Sequence, residues 1–173
     1  MFIATDSRNE RYVVDEIWSH GDGKWLAEEI VRRVQRSSYR VGRVIIDPLA
    51  KGDSNNDNTT FDIIAEILMR YDMVLEVASK DKDAGILQIQ DHLCGPNNMP
   101  SLFFFDHCFR TIYEAEGWMW DPKEPDKATK KDDHMMENLY RLLLLKTKWT
   151  QPFDYSEYSH STHATGRDMV TGY

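Results

Sequence analysis

Two groups of carboxylates have the type and placement to do chemistry. Asp47 ends the β-branched run RVIID at residues 43–47 and is followed at once by Pro48. Asp132 and Asp133, with His134 directly after them, follow a basic stretch and open a run whose apolar residues Met135, Leu139 and Leu142 have helical spacing. Each group has a plain structural reading as well. Asp at a strand exit is a common turn former and cap, and acids in a first helical turn complement the helix dipole. Taken together they point further. A hard divalent ion such as Mg²⁺ takes carboxylate oxygens from separate elements, and two such ions can clamp a phosphodiester. Asp47, Asp132 and Asp133 are therefore the candidate catalytic and metal-ligating residues, on the condition that folding brings two distant parts of the chain together.

The elements that must position them follow from pattern. Residues 1–5 and 11–18, separated by the turn chemistry of Asp6 to Asn9, predict an antiparallel hairpin. Leu26, Ile30 and Val34 mark one face of a helix over residues 24–36. A strand over 43–47 ends at Asp47-Pro48, because proline lacks a ladder donor and forces its predecessor into extended geometry. Thr59 or Thr60 caps a helix with the stripe Phe61, Ile64, Ala65, Leu68. A strand over 73–78, a helix over 83–93, a strand over 102–105, a short helix over 107–116 and a last helix over 132–146 complete the series. In a sheet of this kind ligands gather at the carboxyl ends of parallel strands, where Asp47 stands. The pattern predicts an α/β domain over residues 1–149, a mixed sheet with helices on its faces, and a polar, flexible tail over 150–173.

Composition narrows the classes of function. The chain has 173 residues, 41% of them hydrophobic, and a formal net charge of −8, which suits one soluble domain. That charge excludes coating nucleic acid through bulk basicity, since such binding is driven by Lys and Arg. No apolar run is long enough for a membrane span, and the N-terminal residues do not have the pattern of a secretory signal. Two cysteines, Cys94 and Cys108, are too few for a disulfide framework and fit a reducing, cytoplasmic setting. Several motifs are decoys. His92-x-Cys94 and His107-Cys108 depart from zinc-ligand spacing. Gly21-Asp-Gly-Lys24 has neither the spacing nor the hydroxyl of a phosphate-binding loop, and no nucleophile has an evident His/Asp setting. Trp118 and Trp120 read as packing groups rather than a base-stacking platform.

Four segments carry a family resemblance: residues 43–58 (RVIIDPLAKGDSNNDN), 77–86 (VASKDKDAGI), 111–121 (TIYEAEGWMWD) and 130–140 (KKDDHMMENLY). In this order they resemble the nuclease half of bacteriophage terminase large subunits, over the chain up to about residue 146. The resemblance implies an RNase H-like fold and a metal-dependent endonuclease that cuts concatemeric double-stranded DNA during packaging, with Mg²⁺ or Mn²⁺ in a two-metal site. It implies a portal protein and a small terminase subunit as partners, in the cytoplasm of an infected cell, with no membrane. Asp47 matches the family's second acid, and Asp133 with Asp132 beside it matches the third. The first-strand acid has no clear counterpart, so the first strand is expected to be missing, with Asp6 as a possible replacement. The same gap supports the alternative of a catalytically inactive RNase H-like module that binds DNA or capsid proteins. DNA approaching an acidic site needs cations near it, and Lys51, Lys80, Lys82, Lys130 and Lys131 form the expected phosphate rim, although any one of them has the ordinary reading of a solvated surface lysine. Asn55, Asn56 and Asn58 are candidate backbone contacts, and His134 a candidate donor to the ligand carboxylates.

Overall fold

A computed structural model describes residues 1–37, 40–52, 58–95, 98–120, 122–123, 128 and 132–151. The chain opens as a hairpin of β1 (Phe2–Thr5) and β2 (Arg11–Asp15), antiparallel with Ile3 opposite Val13. Asp6 builds its turn by accepting from the backbone N–H of Arg8 (3.0 Å) and Glu10 (2.9 Å), and Asn9 takes the left-handed conformation at φ 62°. Helix α1 (Gly23–Arg36) starts where the Asp22 side chain accepts from Trp25 N–H, so an acid, and no phosphate loop, closes this turn. Strand β3 (Val44–Ile46) runs into a 3₁₀ turn at Pro48–Lys51. Helix α2 (Thr60–Met69) has a full capping box between Thr59 and Asp62. Strand β4 (Leu75–Val77), helix α3 (Lys82–Leu93), strand β5 (Leu102–Phe104), helix α4 (Phe109–Gly117) and helix α5 (His134–Leu144) follow.

The order and type of these elements agree with the pattern read from the sequence. The expected mixed sheet is present in β1-β2-β5, antiparallel at β1 and parallel at β5, but among the described residues it does not take in every strand. The strands form two sheets, one ordered β1-β2-β5 with β5 parallel to β2, and one of β3 parallel to β4. The fold is mixed α/β.

Two apolar clusters correspond to the two sheets. Val13, Leu102, Ile89, Leu139 and Leu143 centre the first, which α3, α4 and α5 build on the three-stranded sheet. Ala27, Val31, Ile64, Leu68 and Leu75 centre the second, where α1 and α2 cover β3 and β4. Gly85 lets α3 approach α5 closely, since a Cβ there would meet the Tyr140 side chain at 2.4 Å. Charged pairs run between the groups of elements: Arg33 of α1 pairs with Asp15 at the end of β2 and donates to the Glu16 carbonyl (2.7 Å). No helix among the described residues is long and apolar enough to cross a membrane. The tail from residue 152 onward lies outside the described residues.

Candidate functional site

Asp47 does two things at once. Its Oδ1 accepts from Leu49 N–H (2.7 Å) and so caps the 3₁₀ turn, which is the plain role expected of an acid before proline. Its Oδ2 lies 2.7 Å from Nη2 of Arg141, on α5. The same nitrogen lies 3.3 Å from Oε2 of Glu137, so the carboxylates of Asp47 and Glu137 are neighbours across one guanidinium. A residue at the exit of β3 is thereby fixed against the last helix, far away in sequence.

Asp133, Glu137 and Arg141 are four apart and share one side of α5, the row rising about 6 Å per step. Asp133 is buried, and Lys82, at the start of α3, places its Nζ 3.4 Å from Asp133 Oδ2. Along this side of the last helix Asp47 and Glu137 thus share Arg141, and Asp133 pairs with Lys82. Glu137 and Arg141 did not emerge from the sequence reading. The signal for them is the spacing of four from Asp133, which a helix over 132–146 already contained.

Asp132 and His134 go elsewhere. Asp132 sits at φ 52°, a left-handed conformation that turns its side chain away from its neighbour's. Its Oδ1 accepts from Arg110 Nη2 (2.8 Å), on α4. His134 is exposed, 6.2 Å from the Trp18 ring. Arg110 also lies over the Trp18 ring (4.2 Å) and bonds Glu114 (2.7 Å).

Glu114 explains why Asp133 is free of a capping duty. It is fully buried, and its Oε2 accepts from the backbone N–H of Met135 (2.6 Å) and Met136 (3.4 Å), the first turn of α5. Asp133 itself makes no side-chain cap bond. Glu16 does the same for α4, accepting from the N–H of Arg110 and Thr111 (both 2.8 Å) and from Thr111 Oγ1 (2.7 Å). A carboxylate from another element replaces the local cap at both helix starts. Periodicity does not identify such residues, because it does not tell a buried glutamate from a solvated one.

Of the expected phosphate rim, Lys82 reaches the site through Asp133. Lys51 lies over the Phe61 ring (5.2 Å) just past the Asp47 turn, and Lys80 is exposed. Lys130, Lys131, Asn55 and Asn56 lie outside the described residues, and Asn58 is exposed. Asp6 is committed to the hairpin turn, where these backbone hydrogen bonds hold its carboxyl below the usual range.

The cysteine and histidine decoys resolve into packing. His92 Nδ1 pairs with Ser101 Oγ (2.8 Å), and burial, followed by the charge of Arg11, lowers its pKa. His107 Nε2 bonds the Val14 carbonyl (2.9 Å). Cys108 is buried against the Val13 carbonyl, and burial pushes its thiol up to about 11. Cys94 is exposed. Titration of the native protein with a disulfide reagent at pH 8 is therefore expected to modify Cys94 within minutes and Cys108 only after denaturant is added; two equally fast thiols would contradict the packing described.

Among the described residues no three His, Cys, Asp or Glu side chains form a group arranged to hold a metal ion. The donors fit one in kind only: Asp47, from a strand end, and Glu137, from a helix face, are hard oxygen ligands that meet at Arg141, and Asp133 stands one helical turn before Glu137. Arg141 and Lys82 hold them as counter-ions, and a divalent ion would take over that charge. No family model, curated protein or solved structure matches the chain.

Proposed function

We propose that this chain is a divalent-metal-dependent DNA endonuclease domain with an RNase H-like fold, of the kind that phage terminase large subunits use to cut concatemeric double-stranded DNA. The observation that carries the reading is the convergence of Asp47, from the exit of β3, with the α5 face that Asp133 opens. Asp47 and Asp133 would hold Mg²⁺ or Mn²⁺, with Glu137 between them. A divalent ion there would supply Lewis acidity to a scissile phosphate and to its attacking water.

The chain's own residues have three tasks. Asp47 is oriented by its bond to Leu49 N–H, so one oxygen is fixed and the other faces α5. Asp133 is kept in place by the helix start that Glu114 caps. Lys51, Lys80 and Lys82, with Lys130 and Lys131, would meet the DNA backbone, which a chain of net charge −8 can hold only through local cations. Portal protein and small terminase subunit are partners on the same reading.

The pairing of the site's carboxylates with Arg141 and Lys82 favours a second reading, a module that binds DNA or capsid proteins without cutting. Incubating supercoiled plasmid with the protein and Mn²⁺ separates the two. The endonuclease reading expects nicked and linear product that disappears on chelation; intact plasmid at every Mn²⁺ concentration would reject it and leave the binding module.

A further inference from the structure

Between α4 and α5 the chain turns back on itself, with Trp120 and Ala128 in an isolated antiparallel bridge. This crossing, with α3, α4 and α5, bounds a cavity of about 490 Å³, within the size range of small-molecule sites. Its inner wall is core, since Ile89, Met136 and Leu139 are buried. Leu93, Met119 and Trp120 are exposed and form its mouth. The polar side chains on the lining, Gln90 and Glu116, are exposed as well, so the interior is apolar. Water in such a space has few partners, and an apolar solute displaces it at a gain. Trp118 forms part of the wall, and its indole Nε1 is buried without an acceptor. That is costly, and a buried indole ordinarily finds a partner. Among the described residues no Lys, Arg or His lines the cavity, whereas Glu116 does. An anionic headgroup would therefore meet a like charge and no counter-charge.

We propose that this cavity binds a neutral, largely aromatic or aliphatic small molecule that presents an acceptor oxygen to Trp118 Nε1. The walls supply apolar contact, and Met119 and Met136 have unbranched side chains that adjust to the outline of a solute. The ligand oxygen completes the hydrogen bond that the wall lacks, and the want of a cation excludes carboxylates and phosphates. The cavity shares no residue with the contact between Asp47 and α5, so the inference stands or falls apart from the nuclease reading.

The test is fluorescence titration of the full chain with two neutral dyes, Nile red, which has a ring carbonyl, and N-phenyl-1-naphthylamine, which has no oxygen. The wild type should bind both. Trp118→Phe keeps an aromatic wall and loses the N–H, so it should weaken Nile red by roughly three- to tenfold, the worth of one neutral hydrogen bond, and leave the naphthylamine unchanged. Met119→Asp puts a charge at the exposed mouth and should weaken both dyes. Val74→Asp, at an exposed position outside the cavity, should weaken neither. Failure of the wild type to bind either dye would overturn the inference. So would equal Nile red affinity in Trp118→Phe and the wild type, or undiminished binding of both dyes by Met119→Asp. If Trp118→Phe fails to fold, proton NMR of the wild type decides. The Trp118 indole N–H signal should move downfield with Nile red and not with the naphthylamine, and an equal response to the two dyes rejects the hydrogen bond.

Discussion

Glu114→Ala is expected to destabilise the protein by about 3–5 kcal/mol, the cost of breaking a buried charged group away from its partners. Three losses add up at this position. The N–H groups of Met135 and Met136 lose their acceptor inside the protein, where water does not replace it. Arg110 loses the carboxylate at 2.7 Å and keeps Asp132 and the Trp18 ring. The removed side chain leaves space beside Met135 and Thr111, both buried in contact with solvent-free packing. A domain of this size has roughly 5–15 kcal/mol in all, so the variant should sit near the edge of folding at 37 °C. Glu114→Gln keeps the shape and one acceptor and should lose less. Urea unfolding of the three proteins is the measurement, and a loss below about 1 kcal/mol in Glu114→Ala would mean that α5 is capped by something else.

Asp47→Asn and Asp133→Asn are expected to lower Mn²⁺-dependent plasmid cleavage at least by the about hundredfold that losing an outer partner of a metal ligand already costs. Asp132→Asn should stay within a few-fold of the wild type, because its carboxylate faces Arg110 on α4 and not the row on α5. The contrast matters more than any single loss. Asp132 and Asp133 are adjacent, chemically identical and equally plausible from the sequence, yet the left-handed backbone at Asp132 sends them to different helices. Cleavage rates, read with melting temperatures to exclude unfolding, would show the difference. Equal losses in Asp132→Asn and Asp133→Asn would reject the assignment of the site to the Asp47 side of α5.

The elements were legible because their signals are local. The turn residues Asp6 to Asn9, Thr59 before α2, the β-branched run ending at Pro48 and the stripe Phe61, Ile64, Ala65, Leu68 each act within a few residues. Asp47 was legible for the same reason: a strand exit before proline is a local pattern. What stayed hidden is nonlocal. Nothing near Glu114 or Glu16 says that they cap helices belonging to other parts of the chain. Arg141 reads as an ordinary cation in a last helical turn, and only the fold brings Asp47 to it. The separation of β3 and β4 from the three-stranded sheet depends on which strand edges meet, and alternation along a strand carries no such information.

The two separate apolar clusters have a thermodynamic consequence. Each interior is closed by oil-like contacts that added electrolyte reinforces, while Asp15 with Arg33 and Asp47 with Arg141 tie the groups of elements together through partly solvated charge. Ionic strength therefore acts selectively on the seam. Concentrated salt loosens the stitching between the two clusters while each interior holds.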